Sequence, residues 1–309
     1  MTHEQSGVAV AVDVGGTGIK CALVDSAGEV RSTQRYPTGR ERGPDAVVDT
    51  IVGVAADLTT AARVNGFTPV AVGVVVPGVV DEVAGVAEWS ANLGLRDVPL
   101  RDLVAKQVGL PTALGHDVRA GALAEARLGA GRTTRRMLFV AIGTGIAGGF
   151  VVDGRVDPGA HGASGEIGHV VVRTGADARE CGCGGRGCLE AYSSAASIGQ
   201  AYGADGVSAA EVAARAAAGE PKAGAVWAEA VDALADGLLT GIALYDPRVI
   251  VLGGGLAEAG QILLDPLTRA IERRRTFHRL PIIARAELGD EAGCQGAALL
   301  ALDLVGAEW

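Results

Sequence analysis

Apolar residues along the chain come in two spacings. Val8-Ala-Val-Ala-Val12 and Ile19-Lys-Cys-Ala-Leu-Val24 are short buried-type runs, separated by Asp13-Val-Gly-Gly-Thr-Gly18. Asp25-Ser-Ala-Gly28 is a turn, and Glu29 to Tyr36 reads as a third strand. Pro44 to Asn65 carries Val47, Val48, Ile51, Val54 and Leu58 at helical spacing. Val70 to Val76 is a strand ended by Pro77-Gly78, and Val118 to Leu128 is a helix. Met137 to Ile142 and Ile146 to Val152 are strands around Gly143-Thr-Gly145, followed by the hairpin turn Asp153-Gly154. Residues 194 to 245 are alanine-rich and helical, with a break from Gly203 to Ser208 and a stop at Asp246-Pro247. Arg248 to Leu252 is a strand, Gly253-Gly-Gly255 leads into a helix from Leu256, Pro281 to Ala286 is a last strand, and Gly293 to Leu304 a terminal helix. Strands alternating with helices predict an α/β protein.

The strand-turn-strand unit occurs twice. Val-Asp-Val-Gly-Gly-Thr-Gly and Val-Ala-Ile-Gly-Thr-Gly lie about 130 residues apart, which predicts two similar domains. Glycine turns expose backbone N–H groups that cradle phosphate. Two such hairpins facing each other across a cleft would clamp a polyphosphate, with the Thr17 and Thr144 hydroxyls as further donors. Neither hairpin is a Walker A loop or a dinucleotide fingerprint, because both motifs need a helix after the turn. An ordinary β-turn is the plain alternative for each.

A different chemistry lies between Gly165 and Glu190. His169 precedes Cys181, Cys183 and Cys188, and glycines fill most positions between the cysteines. One imidazole and three thiolates make a tetrahedral structural zinc set. Packing cysteines or a disulfide are the alternatives, although a Cys-X-Cys pair is poor disulfide geometry. Glu166 and Glu190 flank the set without being needed to complete four ligands. The zinc is read as architectural, and the two glutamates as groups that it aims. Cys21 and Cys294 lie in apolar surroundings and read as packing residues.

The 309 residues are enough for about two domains. The chain is 49% apolar but 4% aromatic, so small aliphatic residues must build the core. A net charge of −9 argues against nucleic acid as a partner. No apolar run approaches membrane-span length, and the N-terminus lacks a signal-peptide pattern. Free cysteines fit a reducing, cytoplasmic setting.

Asp13-Val-Gly-Gly-Thr-Gly-Ile-Lys20, Glu166-Ile-Gly-His169 and Cys181-Gly-Cys-Gly-Gly-Arg-Gly-Cys-Leu-Glu190 together resemble the ROK family of sugar kinases, from about residue 8 to 300, and bacterial ROK glucokinases in particular. The resemblance implies a two-domain actin-like (ribonuclease H-like) sugar kinase fold with a cleft between domains. The small N-terminal domain is expected at 1–116 plus 298–309, and the large zinc-bearing one at 117–297. It implies ATP-dependent phosphorylation of the glucose 6-hydroxyl, with Asp117 as catalytic base. Phosphoryl transfer asks mainly for positioning and charge neutralisation, so an ordinary aspartate suffices. Without the resemblance, Asp117 before a helix reads as an N-cap. The sugar contacts implied are Gly78, Asn92, Asp117, Gly148, Glu166, His169 and Glu190. His169 would also ligate zinc through its other ring nitrogen. The nucleotide and its Mg²⁺ are expected at Asp13, Gly15, Gly16, Thr17, Lys20, Gly143, Thr144, Gly145, Gly253, Gly254 and Gly255. Asp13 would act on Mg²⁺ through water, and Lys20 either helps the phosphates or pairs with a carboxylate. The family pattern Asn-Asp-x-Asn-Ala-Ala-Ala-x-Gly-Glu is altered here: His116, Arg119, Gly121 and Ala124 stand where Asn, Asn, Ala and Gly are usual. Fructose, N-acetylmannosamine or allose as substrate, or polyphosphate as donor, remain open by these motifs. A sugar-responsive repressor of the same family would carry an N-terminal helix-turn-helix, and only seven residues precede the first strand. Family members are commonly homo-oligomers, dimers or tetramers, and the same is expected here.

Overall fold

The computed structural model describes residues 7–204 and 206–306. In chain order the elements are β1 (Gly7–Val14), β2 (Gly18–Asp25), β3 (Val30–Pro37), α1 (Pro44–Val64), β4 (Thr68–Val76), β5 (Val79–Asp81), β6 (Val86–Ser90), β7 (Leu95–Val98), α2 (Leu100–Val108), β8 (Thr112–His116), α3 (Asp117–Arg127), β9 (Arg136–Ile142), β10 (Ile146–Val152), β11 (Arg155–Val156), α4 (Glu190–Ser193), α5 (Ala195–Tyr202), α6 (Ala209–Ala217), α7 (Pro221–Tyr245), β12 (Val249–Gly253), α8 (Gln261–Arg274), β13 (Ile282–Arg285) and α9 (Ala292–Leu304). The chain forms two compact units, 1–124 with 158–163 and 290–309, and 125–157 with 164–289. The expected divisions at 116/117 and 297/298 cut through continuous packing. Helix α9 packs on β1, β4 and β8. A Cβ at Gly296 would come within 2.0 Å of the Ala120 carbonyl, so the first turns of α3 go with it.

The first unit is a five-stranded sheet in the order β3-β2-β1-β4-β8. Strands β1, β2 and β3 pair antiparallel, while β4 and β8 join in parallel. Val8, Val10, Val12, Val72, Val74 and Val76 point to one face and are buried against α1 residues such as Ile51, Leu58 and Ala62. Ala9, Ala11, Ala71 and Val75 point to the other face, under Ala297, Ala298 and Ala301 of α9. Small residues there let α9 lie close. A Cβ on Gly73 would meet the Ala297 carbonyl at 1.8 Å. Strands β5, β6 and β7 form a separate small sheet, which the apolar pattern does not disclose because each strand is short.

The second unit repeats the topology with the order β11-β10-β9-β12-β13, again three antiparallel strands extended by two parallel ones. The duplication read from the two glycine hairpins therefore extends to the whole sheet. Its core joins Leu138, Val140 and Ile142 to Leu189 and to α7 residues Leu234, Leu238 and Ile242. One expectation is corrected here. The glycines after β12 do not open an α-helix directly. They lead into a single 3-10 turn, Gly255–Ala259, and α8 starts only after Gly260, whose φ of +55° breaks the path. Among the described residues the alanine-rich stretch leaves helix at 203–204, 206–208 and 218–220.

Candidate functional site

In the first unit the residues gather at the ends of β1 and β8. Parallel pairing brings Asp13 beside Val75 and antiparallel pairing brings it beside Lys20. The first glycine turn is closed by Gly15 N–H donating to the Gly18 carbonyl at 2.8 Å and by the Thr38 hydroxyl donating to the Gly15 carbonyl at 2.6 Å. Gly16 lies against Asn92, and a Cβ there would be 3.7 Å from the Asn92 Cβ. Thr17 is exposed. Burial, and then the nearby Asp117 carboxylate, push the Asp13 carboxyl up to about 7, with Lys20 opposing. Gly293, at the start of α9, is a residue that the sequence reading missed. A Cβ there would fall 2.6 Å from Asp13 Oδ2.

Asp117 opens α3, but His116 does the capping. The Arg119 N–H donates to His116 Nδ1 at 3.3 Å, the geometry of an N-cap side chain and the third helical amide. With Nδ1 accepting, the His116 proton is assigned to Nε2. Burial, then the Arg119 charge, push His116 down to about 3, so it stays neutral. Asp117 Oδ1 accepts the Val118 N–H at 2.7 Å. Burial raises Asp117 above the usual carboxylate range, against the Val118 N–H and the charges of Arg119 and Lys20.

Two of the expected contacts have close partners within the chain. Gly78 adopts φ +110°, and a Cβ there would meet the Trp89 carbonyl at 2.1 Å, so its own hairpin already requires glycine. Lys20 Nζ bonds both the side chain and, at 3.1 Å, the carbonyl of Asp290, whose carboxylate Oδ2 also accepts from Arg35 at 2.9 Å. Of the two roles considered for Lys20, carboxylate pairing is the one formed.

In the second unit, glycines press the Glu166–His169 segment onto β10. Gly148 N–H donates to the Gly165 carbonyl at 2.7 Å. A Cβ at Gly165 (φ +96°) would lie 2.0 Å from the Gly148 carbonyl, and one at Gly168 2.2 Å from the Ile146 carbonyl. Gly148 thus makes a close approach, to its own chain. This places the 3-10 turn Ile167–His169 beside the cysteines. The ligand atoms of His169, Cys181, Cys183 and Cys188 all lie within 4.8 Å of one another. Cys181 Sγ is 3.7 Å from His169 Nδ1, and Cys183 Sγ is 3.8 Å from Cys188 Sγ. A tetrahedron with metal–sulfur bonds of about 2.3 Å has an edge of roughly 3.8 Å, so the cluster has the dimensions of a zinc site. His169 Nε2 points the other way, 3.7 Å from Glu166 Oε2.

Glu190 begins α4, directly after the cysteine loop. Its Oε2 accepts the Ile146 N–H at 2.8 Å and would be 2.5 Å from a Cβ on Gly145. The same strand ends carry the other two glycine segments. Gly143 N–H donates to the Gly145 carbonyl at 2.9 Å, and Thr144 is exposed. Gly254, at φ +76°, would put a Cβ 2.5 Å from the Ile142 carbonyl, and Gly253 packs on Phe139. Gly255 has open space around its Cα. The second and third glycine segments therefore meet at the end of β9. Tyr192, just beyond Glu190, braces the cysteine loop: its hydroxyl accepts the Arg179 N–H at 2.8 Å, and the Arg179 guanidinium lies 4.6 Å from its ring centroid. No helix among the described residues is long and apolar enough to cross a membrane.

Residues 9–304 match the model of the ROK family. The glucokinase of Streptomyces coelicolor is 32% identical over 318 aligned positions, covering 96% of this chain and 98% of that protein. An N-acetyl-D-glucosamine kinase of Yersinia pseudotuberculosis is also 32% identical, covering 94% and 97%. Among solved structures, a ROK hexokinase from Thermus thermophilus superposes with a TM-score of 0.85 at 34% identity, covering 97% of this chain and 100% of that one. A ROK glucokinase from Streptomyces griseus, in complex with glucose and AMPPNP, has a TM-score of 0.79 at 30% identity, covering 96% and 100%. The actin-like α/β architecture that the family resemblance implied is thus the fold of this chain, and the chain belongs to the ROK family.

Proposed function

We propose that this protein is an ATP-dependent glucokinase that phosphorylates the 6-hydroxyl of glucose. The observation that carries the proposal is the near full-length similarity to a glucokinase, together with the likeness to a ROK glucokinase solved with glucose and AMPPNP. Asp117 is assigned as the base. It takes the proton of the attacking hydroxyl as the new oxygen–phosphorus bond forms and ADP leaves. His116 supports this role, because it caps α3 in place of Asp117 and stays neutral beside it.

Sugar recognition is assigned to Asn92 of the first unit and to Glu166, His169 and Glu190 of the second. Carboxylates accept hydroxyl protons, and a buried acceptor left unpartnered by the wrong sugar is costly. The His₁Cys₃ cluster is assigned to zinc. On this reading His169 binds the ion through Nδ1, so Nε2 carries a proton toward Glu166 and the sugar. The glycine segments around Gly15, Gly16 and Thr17, around Gly143, Thr144 and Gly145, and around Gly254 are assigned to ATP. Asp13 is assigned to the hydration shell of Mg²⁺, which would neutralise charge on the phosphates.

The equal identity to an N-acetyl-D-glucosamine kinase favours one rival, a kinase for 2-acetamido sugars. Product analysis decides between them. Incubation with ATP-Mg²⁺ and glucose, N-acetylglucosamine or N-acetylmannosamine is expected to yield glucose 6-phosphate with the highest kcat/KM. A higher kcat/KM for either acetamido sugar would replace glucose as the substrate.

A further inference from the structure

Arg119 is an arginine with almost no solvent contact, at 3% side-chain exposure, two residues from the proposed base. Each of its guanidinium nitrogens donates a hydrogen bond. Nε and Nη2 donate to Glu82 Oε1 at 3.0 and 2.8 Å, and Nη1 donates to the Gly162 carbonyl at 2.7 Å. Glu82 lies in the turn between β5 and β6 and also accepts the His116 N–H at 3.4 Å. Gly162 lies in the short segment 158–163, which belongs to the first unit although the chain on either side belongs to the second. One side chain therefore fastens α3, the β5–β6 turn and this segment together. Nothing in the phosphoryl-transfer chemistry assigned above uses it.

We propose that Arg119 is a positioning residue for Asp117: held by Glu82 and Gly162, it sets a fixed, buried cation in the first turn of α3, two residues from the base. The proposal rests on the reading of Asp117 as the base. The charged and titratable groups around Asp117 are Asp13 on β1, Lys20 on β2, His116 on β8 and Arg119 on α3, with Glu82 behind Arg119. His116 is neutral, Asp13 opposes ionisation, and Lys20 is drawn off by Asp290. Arg119 is the cation whose place is fixed by three bonds. Glu82 holds it there but also weakens its field at Asp117 by Coulomb's law.

This predicts opposite effects from the two halves of one ion pair. The acid limb of the kcat/KM pH profile reports the base in the free enzyme. Arg119→Gln is expected to move that limb up by roughly one pH unit, as befits the loss of a nearby opposite charge. Glu82→Gln keeps an acceptor for Arg119 but removes the competing charge, and is expected to move the limb down. Arg119→Lys is expected to leave the limb near its wild-type position while lowering kcat. A purely structural brace would move both Gln variants the same way or neither, and that result overturns the proposal. If Arg119→Gln does not fold, an unmoved or raised limb in Glu82→Gln is enough to overturn it. Asp117→Asn is measured alongside. Full turnover in that variant would mean that the base itself is misassigned. An inactive Asp117→Asn with unmoved limbs would sink only the role of Arg119.

Discussion

Asp13 offers a prediction with a sign that is easy to mistake. Its carboxyl is raised from 3.8 to about 7, chiefly by burial and secondly by Asp117, with Asp290 and Glu291 adding to the effect. A carboxyl raised in the folded state binds its proton more tightly there than in the unfolded chain. Its contribution to stability is complete below about pH 4 and is lost as pH rises through about 7. Ionised Asp13 therefore costs the folded protein up to about 4 kcal/mol above that range. Asp13→Asn removes the charge and keeps the shape. We expect the variant to be more stable than wild type at pH 8, by about 1–3 kcal/mol once an imperfectly paired amide is allowed for. That corresponds to a rise in Tm of several degrees. At pH 5 the wild-type group is protonated and the difference should shrink towards zero. The assay is calorimetric or denaturant unfolding of both proteins at the two pH values, without added magnesium, since a cation near Asp13 would offset the cost. The same variant should lose most of its turnover if, as proposed, the charge serves phosphate-bound Mg²⁺. An Asp13→Asn protein that is less stable at pH 8, or whose advantage does not grow between pH 5 and pH 8, would refute the reasoning.

Other outcomes follow from the same geometry. Cys183→Ser should reduce zinc, measured by elemental analysis, from about one ion per chain to near none, and raise the KM for glucose by roughly tenfold or more as His169 loses its orientation. Gly165→Ala places a methyl 2.0 Å from the Gly148 carbonyl at a φ of +96°, so it should destabilise the second unit by more than about 2 kcal/mol in chemical unfolding. Lys20→Ala breaks a pair with an exposed carboxylate (61% at Asp290) and should cost less than about 1 kcal/mol of stability. An ATP KM unchanged in that variant would agree with Lys20 as a carboxylate partner, and a large rise would return it to the phosphates.

The legible and illegible parts of this chain differ for physical reasons. Both sheets could be read from sequence because their central strands are runs of Val, Ala, Ile and Leu that must be buried on two faces. The His₁Cys₃ cluster was legible because four candidate ligands, one imidazole and three thiols, at close spacing have few other uses. Strands β5 to β7 were not, being too short for a period to show. The glycines were only half legible. Gly78 and Gly148 are expected near a ligand, and each also lies under a carbonyl of the chain, with Trp89 and Phe139 oxygens 2.1 and 2.6 Å from where a Cβ would stand. A sequence shows that a glycine is present, not what lies over it. Gly293 against Asp13 is the converse case. Its partner lies 280 residues away, and the stretch Glu-Ala-Gly-Cys-Gln-Gly gives no local sign of it. Arg119 and Glu82 were invisible as a pair for the same reason. The helix N-terminus at Asp117 was legible, yet the pattern could not tell the capping residue from its neighbour, because His116 caps through a ring nitrogen outside the usual Ser, Thr, Asp, Asn set.

The most direct test of the central claim is ADP release with ATP-Mg²⁺ and glucose, compared between the wild-type protein and Asp117→Ala, with glucose binding measured separately by calorimetry. The account predicts glucose-dependent turnover in the wild type and a loss of at least about a thousandfold in the variant, which should still bind glucose. No turnover by folded, zinc-loaded wild-type protein on glucose or any other hexose would contradict it.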